Sequence, residues 1–165
     1  MIATVLPRRV LCVDMLNLET LGSLDGWSRF YLLALFDSFA VDYLLRQRVN
    51  AHVSFFFAYN LPVPRLMVAD PKLRSVALRA AKLVCVGPEF DDLAREVGLR
   101  DHRDGATEFA ARARLRAEID GLVAHLYGLT EAEFLHVLAT FPVVPDPEKV
   151  AAHNAYRDVA AGVVQ

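Results

Sequence analysis

Paired cysteines, paired histidines, glycine-rich loops and long apolar runs are all missing from this chain. Its two cysteines, Cys12 and Cys85, lie far apart within apolar surroundings, and no CxxC occurs. That excludes the redox and zinc motifs built on CxxC and predicts buried free thiols in a reducing compartment. The histidines are His52, His102, His125, His136 and His153. No two stand at i, i+4 and none belongs to a Cys/His cluster, so no metal site is expected. Nor is there a GxSxG elbow for a nucleophilic serine. The eight glycines are dispersed among turns rather than gathered after a strand, which removes the nucleotide-binding fingerprints. No uninterrupted apolar run approaches the roughly 18–20 residues that span a bilayer. In MIATVLPRRV the arginines follow the apolar residues, the wrong order for a signal peptide. A cytoplasmic protein without a membrane partner is the expectation.

What is present reads as a folded chain. The 165 residues are 55% hydrophobic and 23% charged, enough for one domain with a substantial core. The formal net charge of -2 does not announce a nucleic-acid binder. Charge is uneven, however: residues 1–65 carry six Lys/Arg against five Asp/Glu, and residues 101–165 carry six against ten. A local basic patch is therefore permitted in the first half.

IATVLP and VLCVD are short strand candidates. Turn chemistry follows through NLETLGSLDGW. Phe30, Leu33, Phe36, Ala40, Tyr43 and Leu44 then recur at helical spacing, which predicts one amphipathic helix over 29–48. VSFFFAY at 53–59 reads as a strand covered on both faces, ended by Pro62 and Pro64. The remainder reads as helical. Asp70 before Pro71 is an N-cap that opens a helix to about residue 86. A short helix is bracketed by Pro88 and Gly98, and a long one spans about 106–127. In YGLTEAEF, Gly128 suits the left-handed position after a helix. Thr130 and Glu133 form a capping box, and Leu129 and Phe134 a hydrophobic staple, for the helix that Pro142 stops. In PDPEK, Asp146 and Pro147 read as the cap and first residue of a final, Ala-rich, weakly anchored helix over 147–160. Asp146, Glu148 and Lys149 lie too close in sequence for a nuclease-type metal site.

No complete catalytic constellation emerges, and the chemistry narrows to VDYLLRQRVNAH, just before the aromatic run. Arg46 and Arg48 are two apart and splay from an exposed loop if the helix ends between them. Gln47 and Asn50 add amides that can pair with adenine edges, and arginine suits guanine or phosphate. Arg46, Gln47, Arg48, Asn50 and His52 are thus the candidate DNA-binding residues. The competing reading is a solvated helix terminus, its arginines near the negative end of the helix dipole.

Two segments carry a resemblance. LLALFDSFAVDYLLRQRVNAHVSFFFAYNLPVP resembles a segment of large adenine-specific DNA methyltransferases, including single-chain type II restriction–modification and phage-defence enzymes. In that family, Asn-Ser, Asp-Tyr and Arg-Gln-Lys precede an aromatic strand and Leu-Pro-Val. RLRAEIDGLVAHLYGLTEAEFLHVLATFPVV is similar to the family's C-terminal segment, where a helix enters Leu-Tyr-Gly-Leu and closes at Thr-Phe-Pro. With IATVLPRRV, the resemblance covers most of residues 2–144. It implies the target-recognition and helical support region that follows the catalytic domain, and it places Asp42, Tyr43, Arg46, Gln47 and Arg48 in the family motif. Asp37-Ser38 departs from the family's Asn-Ser. The family methylates adenine with S-adenosylmethionine through an Asn-Pro-Pro-aromatic motif. This chain has no Pro-Pro and no glycine-rich cofactor loop. No catalysis is expected of it alone, and S-adenosylmethionine is expected only in a catalytic parent or partner.

The resulting expectation is an α+β fold: a small N-terminal sheet with one amphipathic helix packed on it, then a C-terminal helical bundle. Residues 1–66 would form the α/β portion and 67–165 the helical portion, packed as one unit. Such a chain would position double-stranded DNA for a methyltransferase catalytic subunit. The alternative is a docking domain that contacts a methyltransferase partner without binding DNA.

Overall fold

The computed structural model describes residues 3–7, 10, 23–48, 56 and 59–165. Every regular element among them is helical. In chain order these are α1 (Gly26–Asp37), α2 (Phe39–Arg46), α3 (Pro71–Val84), α4 (Asp91–Glu96), α5 (Phe109–Leu126), α6 (Glu131–Ala139) and α7 (Asp146–Ala160). Single 3-10 turns at Pro88–Phe90 and His102–Asp104 flank α4.

The expected N-terminal sheet is overturned: among the described residues there is no strand. Residues 3–7 have no regular structure and join no ladder among the described residues, and the Ala3 amide donates instead to Asp37 Oδ1 at 2.7 Å. Most of VLCVD, with Cys12, lies outside the described residues. In the aromatic run, Phe56 and Tyr59 are helical and exposed, not buried on two faces. The Asn60 side-chain amide donates to the Phe56 carbonyl, four residues back. The run SFFFAY has no alternation to distinguish strand from helix, and a short apolar stretch is ambiguous on pattern alone.

The single helix expected over 29–48 is two. Ser38 divides them: its hydroxyl donates to Leu35 O, closing α1, and accepts from Val41 N, opening α2. At 1% exposure it is buried in the core, where only such pairing makes a hydroxyl tolerable. The Phe39 amide, an orphan donor of the new helix, is taken by Asp120 Oδ1 from α5 at 2.9 Å.

The later punctuation follows local chemistry. Asp70 caps α3 by accepting from Lys72 N, with Pro71 in the first turn. Gly128 adopts φ 68°, and Thr130 and Glu133 exchange both capping-box bonds. Leu129 packs on the cluster that holds Phe134, as a hydrophobic staple requires. Asp146 differs from expectation. It stands inside the first turn of α7 after an N-cap at Pro145, and its carboxylate pairs with Lys149 Nζ at 3.2 Å.

Nor is α7 weakly anchored. It packs on α5 more extensively than any other pair of helices meets, followed by α1 on α3. Gly121 permits the first contact, since a Cβ there would sit 2.7 Å from the Ala155 carbonyl carbon and the Tyr156 amide. One core cluster joins Phe30, Leu35, Val41 and Leu45 of the first two helices to Val76, Val97, Ile119 and Val123, so it crosses residue 66. The LPVP segment seals its edge: Leu61 is buried and Tyr31 donates to Pro64 O at 3.0 Å. No helix among the described residues is long and apolar enough to cross a membrane.

Candidate functional site

The junction expected to face DNA is built on α2. Cap and dipole favour a short helix with Asp42 in its first turn and Arg46 in its last. These are one turn apart, and the Arg46 guanidinium meets Asp42 at 2.9 Å. Arg46 also lies over the Phe141 ring, 4.5 Å from its centroid, a cation–π contact. Phe141 in turn meets Phe39 edge-on at 4.9 Å, and Tyr43 meets His136 edge-on at 6.2 Å.

α2 ends at Arg46, between the two arginines, as splaying requires. Gln47 and Arg48 follow in a turn and are exposed, the Arg48 amide returning to Leu45 O at 2.9 Å. Arg46 is exposed as well, its side chain 56% accessible, and is held at the surface by its own helix and by the segment after α6. Asn50 and His52 lie outside the described residues. Of the five candidate residues, three are thus placed on the surface, and one of these, Arg46, is also tied to Asp42 and Phe141.

Several other titratable groups are held in structural pairings. His102 Nδ1 meets Asp91 Oδ1 at 2.8 Å, and His153 Nε2 meets Glu131 Oε1 at 2.7 Å. His125 stacks on Tyr156 and donates from Nε2 to its carbonyl. Cys85 is buried and free, and burial pushes its thiol up to about 11, away from thiolate chemistry. Between α3 and α5, Glu118 accepts from Arg79 and Arg114, each at 2.7 Å. Burial alone would raise the Glu118 carboxyl, but these two bonds outweigh it and hold it below its ordinary range.

A second feature had no signal in the sequence. α1, α3, α5, α7 and residues 3–5 line an open cavity of about 840 Å³. Its lining combines apolar groups such as Leu33, Leu83 and Ile119 with the carboxylates of Asp37, Asp120 and Glu148. Burial, with Asp37 and Glu148 nearby, raises the Asp120 carboxyl to about 7 against the Phe39 N–H bond that lowers it. Asp120 is the neighbour of the buried Ile119 on α5. Its surroundings come from residues 81 positions away in sequence. Among the described residues no group of three His, Cys, Asp or Glu could hold a metal ion.

Comparison with protein-family models, with curated proteins and with solved structures finds no match.

Proposed function

We propose that this chain is an accessory, duplex-positioning portion of an adenine-specific DNA methyltransferase or restriction–modification system. The catalytic domain, with its S-adenosylmethionine, is supplied elsewhere. The observation that supports this is the packing of the two segments that resemble the family. Asp42, Tyr43 and Arg46 belong to the first, and His136 and Phe141 to the second. The Arg46–Phe141 and Tyr43–His136 contacts join them into one platform. In this reading Arg46 positions the end of α2, and Gln47 and Arg48 meet the phosphate backbone, with Asn50 and His52 following them in sequence. Phosphate contacts of this kind fix register, and the catalytic partner extrudes and methylates the adenine.

Fluorescence anisotropy with random-sequence duplex across a salt series tests this. Binding should weaken steeply with salt, and Arg48→Ala should lower the salt slope by about 1, as loss of one phosphate contact does. Arg46→Ala should instead show first in thermal stability. Absence of binding at low salt would overturn DNA positioning by this chain.

One observation favours a second reading, a domain that docks on a methyltransferase partner without touching DNA. Arg46, the centre of the expected basic patch, is engaged within the fold by Asp42 and Phe141. Such a domain would bind a separately produced catalytic subunit equally well with and without duplex.

A further inference from the structure

The cavity beneath the α1–α2 break has no part in either reading of the junction. Its volume of about 840 Å³ falls within the size range of ligand sites, roughly 300–1,000 Å³. Its walls are predominantly apolar, and its few polar groups are the carboxylates of Asp37, Asp120 and Glu148, the guanidinium groups of Arg112 and Arg116, and Thr4, the usual composition of a site that grips an apolar body and orients one charged head.

The polar groups are not equivalent. Arg112 donates through Nη1 to the carbonyls of Leu83 and Ala106, both at 2.8 Å, and serves to tie α3 to the entry of α5. Asp37 uses Oδ1 on the Ala3 amide and has the Arg116 charge nearby, which partly offsets it. Asp120 uses Oδ1 on the Phe39 amide, and no protein donor reaches its Oδ2 among the described residues. Glu148, on α7, lines the same space and adds to the negative potential around Asp120. The carboxylates do not form a metal-binding group, so their field suits an extended organic cation rather than a compact ion. A carboxylate ligand would meet repulsion at the same place.

We propose that this cavity binds an apolar molecule bearing an ammonium head, its chain against Leu33, Leu83 and Ile119 and its cation between Asp120 and Glu148. Such a head donates to Asp120 Oδ2 and takes the place of the proton that otherwise neutralises the carboxyl. The groups that set the charge of Asp120 are the Phe39 amide of α2, Asp37 from α1 and Glu148 from α7, while Arg112 and Arg116 of its own helix line the same space. Binding therefore carries a pH signature: cation uptake releases a proton, and affinity increases as the pH rises through the titration of Asp120.

The experiment titrates the intact chain with n-octylammonium, n-octanol and octanoate, following methyl resonances of Leu33, Leu83 and Ile119 by NMR near pH 6 and near pH 8. Octylammonium should perturb these methyls with a Kd about tenfold tighter than octanol, and tighter near pH 8 than near pH 6. Octanoate should bind more weakly than octanol. Asp120→Asn should abolish both the preference for the cation and the pH dependence, and Glu148→Gln should reduce the preference in part. Equal binding of octanol and octylammonium would overturn the cationic assignment. Absence of any perturbation at the cavity methyls would overturn the site. The wild-type pH dependence decides the matter even if Asp120→Asn does not fold.

Discussion

Two tyrosines in one neighbourhood show how much a single hydroxyl can matter. Burial raises both phenols to about 12, and the Tyr31 phenol also feels Tyr127. Tyr31 donates to Pro64 O, whereas the Tyr127 hydroxyl is buried without a partner among the described residues. An unmade hydrogen bond in the interior costs about 1–3 kcal/mol, and a made one contributes about 1 kcal/mol. The two conservative changes should therefore have opposite signs. Tyr31→Phe should lower the unfolding free energy by about 1 kcal/mol, and Tyr127→Phe should raise it by a similar amount. Urea denaturation of the two variants checks this, and equal losses would mean that the Tyr127 hydroxyl finds a donor or acceptor after all.

At the scale of elements, local chemistry predicted ends better than faces. The Asp70-Pro71 start, the Gly128 exit and the Thr130–Glu133 box depend on residues within four positions of one another, and all three formed as their sequence implied. Ser38 carried the same kind of signal, a capping side chain before an apolar run, but continuous helical periodicity on either side concealed it. The predicted strand over 53–59 failed for the opposite reason at Phe56 and Tyr59, and its other residues lie outside the described ones. Its aromatics advertise burial without specifying a period, and Phe56 and Tyr59 are exposed on helical backbone. The last helix looked weakly anchored because alanines offer little area. Small side chains instead allow it to approach α5 closely at Gly121. Gly121→Ala should destabilise the protein by about 1–3 kcal/mol, since its Cβ would meet rigid backbone. A calorimetric midpoint equal to wild type would show that the helices separate without cost.

Across the whole molecule, pH stability combines opposing carboxylates. Glu118 is held low by Arg79 and Arg114 despite its burial, so its contribution is present above its ordinary value of 4.5 and is lost in acid. Asp120 acts the other way. Its folded value is raised from 3.8 to about 7 by burial, so stability is fully present below about 4 and declines as the pH rises towards 7. Relative to wild type, Asp120→Asn should gain stability progressively between about pH 4 and pH 7 and then level off. Midpoint temperatures of the two proteins across that interval check it, and a difference independent of pH would place the Asp120 carboxyl at its ordinary value.

The sequence alone determined where most later helices begin and end, because caps, prolines and left-handed glycines act within a single turn of chain. It also determined part of the core, through the helical spacing of Phe30, Leu33 and Ala40. The candidate junction was legible as a cluster of residue types, but the end of α2 at Arg46 was not, since the helical spacing predicts a helix on to residue 48. What only the tertiary structure decided depends on partners distant in the chain. Arg46 lies over Phe141, the Phe39 amide finds Asp120, and Asp37, Asp120 and Glu148 share one cavity. The physical reason is one of range: capping bonds are chosen by neighbours along the chain. The burial that turns a helical aspartate into a group titrating near 7 exists only once α1, α5 and α7 have packed together.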